Sequence, residues 1–223
     1  MQRKRRVVAG FLAACGLGFV AGVAAQEAAP AAPTPADATV EAPPPAPVPA
    51  LVNVLVHTTL GDIQLALEKD RAPLTTKNFL RYVDTRRYDG SDFYRAVKLD
   101  DEGKYGLVQG GLKGNPKRVF KPIPHESPRV TGLSHVSGAI SMARTDPGTA
   151  TSDFFIVVGN LVSLDGQPTG DDPGYAVFGH VVEGMDVVRQ IMELPRATSG
   201  DDGAMKGQMI ARPVRIVSVR RID

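Results

Sequence analysis

Two runs decide the fold class: Val52-Asn53-Val54-Leu55-Val56-His57 and Ile63-Gln64-Leu65-Ala66-Leu67, with Thr59-Leu60-Gly61-Asp62 between them. Each is apolar with alternation, and the short break fits a turn, so together they read as a β-hairpin. Outward from it, Pro73 can start a helix, with Phe79, Tyr82 and Val83 on one face. Arg86 and Arg87 are placed to close that helix, where cations suit its dipole. Strand-like runs recur at Asp92–Val97, Leu107–Gln109, Gly138–Ala143, Phe154–Val158 and Ala176–Val182. A second short helix follows Gly184, and Val214–Ile222 reads as a closing strand. The pattern predicts a mainly β chain: a closed eight-stranded antiparallel β-barrel capped by two α-helices.

The chain has 223 residues, room for one ordinary domain plus extensions. Its single cysteine excludes a disulfide framework, a Cys-rich zinc site and an iron–sulfur cluster. The net charge of +2 misleads, because Arg3, Lys4, Arg5 and Arg6 stand together and no acid precedes Glu27. Beyond residue 25, 22 cations (26 less those four) face 24 acids, a net charge of −2. A nearly neutral body carries no electrostatic footprint for nucleic acid.

Residues 1–25 read as a signal peptide: a basic start, an apolar run from Val7 to Ala25, and a small-x-small end at Val23-Ala24-Ala25. This predicts a periplasmic protein without stable membrane insertion once the signal is cleaved. Two other readings stay open. The apolar run is long enough for a membrane anchor, and Leu12-Ala13-Ala14-Cys15 resembles a lipobox whose cysteine would carry lipid. Residues 26–50 hold eight prolines and nine alanines and no aromatic residue. Such a segment cannot bury enough apolar surface to offset its ordering entropy, so it reads as a disordered spacer before a domain spanning 51–223.

Most familiar chemistry is missing. There is no phosphate-cradling loop, no dinucleotide glycine fingerprint and no nucleophile elbow. His57, His125, His135 and His180 show no metal spacing and read as surface or turn residues. Asp100-Asp101-Glu102, Asp171-Asp172 and Asp201-Asp202 read as solvated loop charges. No nucleophile–base pair is visible, which leaves a hydrolase without support. One stretch stands out: in Phe93-Tyr94-Arg95-Ala96-Val97, strict alternation would set Arg95 on one face with Phe93 and Val97. An arginine on an apolar face is either at the rim with its head in water or paired and used. Gln109 is placed to orient it. Phe154 and Phe155 point to opposite faces of one strand, so one can fill a core while the other lines a pocket.

Taken together, the chain resembles the cyclophilin-type peptidyl-prolyl cis–trans isomerases. The resemblance runs through Phe93-Tyr94-Arg95-Ala96-Val97, Leu107-Val108-Gln109-Gly110-Gly111, and Gly138-Ala139-Ile140-Ser141-Met142-Ala143-Arg144. It continues in Ser152-Asp153-Phe154-Phe155-Ile156, Leu164-Asp165-Gly166, Tyr175-Ala176-Val177-Phe178-Gly179 and Val182-Glu183-Gly184-Met185-Asp186-Val187-Val188, in family order. Tyr94 and the Met142-Ala143-Arg144-Thr145 run are similar to the exported bacterial branch. The resemblance implies catalytic roles for Arg95 and Gln109. It implies substrate-binding roles for Tyr94, Leu107, Met142, Ala143, Arg144, Phe155, Leu164 and Tyr175. It further implies no cofactor, no metal, proline-containing unfolded or partly folded polypeptides as partners, and a monomer.

Departures from the family pattern are local. Lys98 to Tyr105 lengthens a loop, Gly106 replaces an aromatic residue, and Tyr94 stands where histidine is common. Asp153 stands where glutamine is usual. Ser163 stands where a tryptophan or another large apolar residue precedes the Leu-Asp pair, which predicts weak cyclosporin binding. An alternative on the same fold is a low-turnover peptide-binding chaperone or scaffold.

Overall fold

The computed structural model describes residues 50–167, 169–198 and 205–222. The expected signal peptide, the expected spacer as far as residue 49 and the Asp201-Asp202 pair lie outside the described residues. The elements run β1 (Leu51–Thr58), β2 (Gly61–Glu68), α1 (Pro73–Asp84), β3 (Ser91–Lys98), β4 (Gly106–Gly111) and α2 (Pro128–Thr131). Then follow β5 (Ala139–Met142), β6 (Phe154–Val158), a 3₁₀ turn (Val162–Asp165), β7 (Val177–Glu183), α3 (Met185–Glu193) and β8 (Met209–Arg221). The strands close in the ring order β1-β2-β7-β5-β6-β4-β3-β8. Every pairing is antiparallel.

The opening hairpin is as read, with Val54 opposite Leu65 and Val56 opposite Ile63. The two expected capping helices are α1 and α3; α2 is an additional single turn. α1 stops at Asp84, so Arg81, not Arg86 or Arg87, is the cation of its last turn. Arg86 sits instead in the left-handed region, at φ 54°. Ala72 gives α1 no side-chain cap. Glu126 supplies one from across the chain, accepting from Leu74 N at 3.0 Å and Thr75 N at 2.6 Å.

Alternation divides the barrel into an interior and an outer face. The interior cluster includes Val54, Ile63, Leu65, Phe93, Phe154, Ile156 and Ile216, joined by Phe79 and Tyr82 of α1 and Val188 and Ile191 of α3. Phe79 meets Phe154 edge-on, ring centroids 5.4 Å apart. Each such side chain contributes about 1.5–3 kcal/mol by leaving water. A second cluster, on the outer face, gathers Ala139, Phe155, Val157, Leu161 and Val177, with Leu107, Ala143, Leu164 and Tyr175 packed against it. Phe154 and Phe155 therefore do go to opposite faces.

β3 departs from plain alternation. Phe93 pairs with Gly110, yet Arg95 pairs with Gln109, so Tyr94 is an extra residue and β3 carries a bulge. The same point is irregular on the other side, where Phe93 pairs with Val214 and Arg95 with Met209 of β8. Phe93 faces the interior, while Tyr94 and Arg95 both face outward and flank Gln109. The expectation that Arg95 shares a face with Phe93 fails for this reason.

Candidate active site

The outer cluster forms the floor of a cavity of about 330 Å³. Arg95, Gln109, Leu107, Ala143, Arg144, Phe155, Leu164 and Tyr175 all line it. Of the ten residues expected from the sequence, two lie elsewhere. Tyr94 lines an adjoining cavity of about 420 Å³, which shares Gln109, Ala143 and Arg144 with the first. Met142 is a correction: its side chain belongs to the interior core and is 1% exposed. Strand alternation sends Met142 inward and its neighbour Ala143 outward.

Arg95 is held from two sides. Its Nη1 donates to Gln109 Oε1 at 2.6 Å, and its Nε donates to Gln208 Oε1 at 2.7 Å. Gln109, buried on β4, uses its other end to donate from Nε2 to the Tyr94 hydroxyl at 2.7 Å. Tyr94 and Asp153 line the same adjoining cavity. Burial, then the charge of Asp153, raises the Tyr94 pKa far above the ordinary phenol value, so Tyr94 keeps its proton. Burial also raises Asp153, against the backbone N–H groups of Lys113 and Gly114 that favour its charge.

The apolar wall is built in two layers. Phe155 and Tyr175 meet edge-on at 5.6 Å, and Arg144 lies over the Tyr175 ring at 4.7 Å. Behind Phe155 the ring of His135 stacks at 5.8 Å. His135 is fully buried, which overturns its reading as a surface or turn residue. Its Nδ1 lies 2.5 Å from Asp165 Oδ1, and its Nε2 lies 3.0 Å from Ser141 Oγ. Burial lowers the His135 pKa and Asp165 pulls it back, so the ring is a neutral strut at pH 7. A Ser–His–Asp line therefore exists, contrary to the expectation that no nucleophile–base pair is present. Ser141, however, has no exposed surface. No substrate carbonyl can reach it, so the arrangement braces the wall.

The sequence also missed several lining residues: Val97, Leu99, Leu161 and Met205; Ser163 lines the cavity too, as its family position implies. Leu99 comes from the lengthened loop, which is tied down by Asp100 accepting from Lys104 N and Tyr105 N at 3.1 and 3.0 Å. Tyr105 does not take the place of the missing aromatic; it is exposed and packs over Gly159. Gly106 faces inward, where a Cβ would lie 2.2 Å from the Val97 carbonyl oxygen and 2.7 Å from Met192 Sδ. No side chain fits there. Among the described residues no group of His, Cys, Asp and Glu is arranged to hold a metal, and no helix is long and apolar enough to cross a membrane.

Residues 53–221 match the family described as cyclophilin type peptidyl-prolyl cis-trans isomerase/CLD. This chain belongs to that family. A relative from Acinetobacter baylyi, named peptidyl-prolyl cis-trans isomerase, is 37% identical over 168 residues, covering 75% of this chain and 84% of its own. Peptidyl-prolyl cis-trans isomerase B of Escherichia coli is 35% identical over 150 residues, covering 66% of this chain and 88% of its own. A cyclophilin from Cryptosporidium parvum, solved in the presence of the dipeptide Ala-Pro, has the same fold. Its TM-score is 0.61 at 22% identity, over 77% of this chain and 99% of that one. The cyclophilin fold thus rests on both the observed ring of strands and this likeness.

Proposed function

We propose that this cyclophilin-type isomerase accelerates X–Pro rotation in exported proteins, with Arg95 acting over the Phe155–Tyr175 cavity. The isomerase activity itself follows from family membership. Rotation about a peptide bond meets a barrier of about 18–20 kcal/mol because amide resonance is lost. For X–Pro bonds, uncatalysed exchange takes tens to hundreds of seconds. No covalent bond is made or broken, so a nucleophile is not required. The prolyl ring rests on Phe155, Leu164 and Tyr175 while the preceding carbonyl turns. Arg95 donates to the prolyl nitrogen as its lone pair leaves conjugation. That hydrogen bond is stronger in the twisted state than in either planar state, which is the condition for lowering the barrier. Ala143 and Arg144 run beside the substrate backbone on the N-terminal side of proline. Gln109 and Gln208 keep the guanidinium from folding away.

The single observation that carries this reading is Arg95 on the bulged strand, lining the same cavity as the two aromatic rings. The basic, then apolar, start of the sequence supports the export setting, with clients that meet the protein in the periplasm. The Ala-Pro dipeptide named with the Cryptosporidium relative supports an X–Pro ligand.

The test is isomerisation of an X–Pro peptide followed by isomer-specific proteolysis, comparing the full chain with Arg95→Ala. A loss of about 100-fold or more in kcat/KM is expected for a donor acting mainly in the transition state. Equal rates for both proteins refute the role of Arg95. Suppression of client aggregation that survives Arg95→Ala, alongside a background isomerase rate in the wild type, favours the chaperone alternative.

A further inference from the structure

We infer that Leu99 is a specificity-determining residue for the isomerase reaction, supplying an apolar subsite for the two substrate residues that follow proline. This rests on the reading of Arg95 and its cavity above.

The register along β6 sets the order of groups in the cavity. Ala143 N donates to the Asp153 carbonyl at 2.8 Å. Two residues on, Phe155 stands opposite Gln109, which pairs with Arg95. Two further on, Val157 stands opposite Leu107, which pairs with Val97. The next step is Gly159, against which Tyr105 packs, and Leu99 N donates to the Tyr105 carbonyl at 2.9 Å. The order is therefore Ala143, Arg95, Val97, Leu99, in steps of about 7 Å. The adjoining cavity agrees: it shares Gln109, Ala143, Arg144 and Met205 with the first, and not Val97, Leu99 or Leu107. A substrate whose residues before proline lie along Ala143 and Arg144, with the prolyl nitrogen at Arg95, continues toward Val97 and Leu99. An extended chain advances about 3.3 Å per residue. Two residues beyond proline thus bring it level with Val97, where the Leu99 side chain lines the same cavity.

Leu99 is held ready for that contact. It is 60% exposed. Among the described residues that line the cavity, only Leu99 and Met205 are large apolar side chains left so open. A leucine in water forgoes most of the stabilisation its burial would give, and an apolar substrate residue laid on it recovers part of that. The loop is pinned at three points, so little ordering entropy is lost when substrate arrives. Asp100 accepts from Lys104 N and Tyr105 N. Tyr105 lies over Gly159, at φ 72°, where a Cβ would stand 2.4 Å from the Lys104 carbonyl oxygen. Lys98 Nζ donates to Glu193 Oε2 of α3 at 2.8 Å. The stretch that departs from the family pattern, Lys98 to Tyr105, thus adds a wall of its own to the cavity.

The test measures kcat and KM by NMR exchange on Ala-Pro peptides that carry Leu or Gly at the first or the second position beyond proline. A matched set varied before proline is measured beside them. The full-length wild type is expected to favour Leu over Gly by about fivefold in kcat/KM at one of the two positions, less than a closed apolar pocket achieves. Leu99→Ala narrows this preference below about twofold, chiefly by raising KM for the Leu peptide. Leu99→Asp redirects it: a Lys peptide overtakes the Leu peptide at low salt, and the advantage fades at about 1 M salt. Asp100→Ala, which frees the loop, blunts the preference as Leu99→Ala does, and Asp100→Asn, which keeps an accepting oxygen, retains most of it. Leu99 is exposed, so its variants are ordinary surface changes for stability, and circular dichroism checks that they fold. An active wild type with no preference beyond proline, or one that Leu99→Ala leaves intact, overturns the subsite alone. A change of selectivity before proline instead overturns the placement of Leu99. A wild type at background overturns the activity and the subsite together.

Discussion

Replacing Asp165 with alanine tests whether the wall of the cavity is braced from behind. Asp165 ends the 3₁₀ turn that carries Leu164. It accepts from the Ser134 hydroxyl, from His135 N at 2.8 Å and from His135 Nδ1 at 2.5 Å. The alanine variant strands the backbone N–H and ring N–H of a fully buried histidine. Each buried donor left unsatisfied costs about 1–3 kcal/mol. Ser134 can turn to water, so the total is about 2–6 kcal/mol, a large share of the roughly 5–15 kcal/mol typical of a whole domain. Urea denaturation followed by far-ultraviolet circular dichroism reads this as a lower midpoint with an unchanged slope. The His135 ring stacks on Phe155, and the Tyr175 N–H donates to the Leu164 carbonyl at 2.9 Å. The same variant should therefore bind X–Pro peptides more weakly, raising KM more than it lowers kcat. A stability loss under about 0.5 kcal/mol, within the range of an ordinary surface change, together with an unaltered KM, refutes the brace.

Two further outcomes follow from the same cluster. The His135 pKa is lowered by burial, and that of His125 is lowered for the same leading reason, so both bind protons less readily folded than unfolded. Stability should be level above about pH 7.5 and decline as pH falls through the unfolded histidine value of about 6.5; denaturant midpoints measured from about pH 5 to 9 check this, and midpoints that hold or increase as pH falls from about 7.5 to 5 contradict it. Ser141→Ala should cost about 1–3 kcal/mol, because it leaves the buried His135 Nε2 without its partner, and leave the isomerase rate unchanged; stoichiometric labelling of Ser141 by a serine-directed phosphonate would show that the buried line is a working nucleophile after all.

Much of the barrel was legible because its strands obey the period of two that burial imposes. Val54 and Val56 against Leu65 and Ile63 needed no other information. β6 could be read to its ends because five consecutive apolar residues, Phe154–Val158, are buried on both faces. The failures have a different physical origin. Whether His135 is buried depends on a carboxylate thirty residues further on, and nothing in Leu133-Ser134-His135 encodes that partner. The remote cap that Glu126 gives α1 is invisible for the same reason.

The break at Tyr94 is the most instructive case. Period-two reasoning carried across Phe93–Val97 put Arg95 on the wrong face, because a bulge inserts one residue without needing a glycine or proline to announce it. The opposing strand was misjudged at the matching place. The sequence reading begins the last strand at Val214, where alternation sets in. β8 in fact starts at Met209 and runs through Pro213, because its pairing with β3 jumps from Val214 opposite Phe93 to Met209 opposite Arg95. The slack in one strand answers the extra residue in the other. It also brings Gln208 against Arg95, a partner no spacing rule would find. The two strands lose their regular register at the point where the guanidinium must be aimed. A barrel with perfect alternation here would send Tyr94 and Arg95 to opposite faces, leaving Gln109 with only one of them to hold.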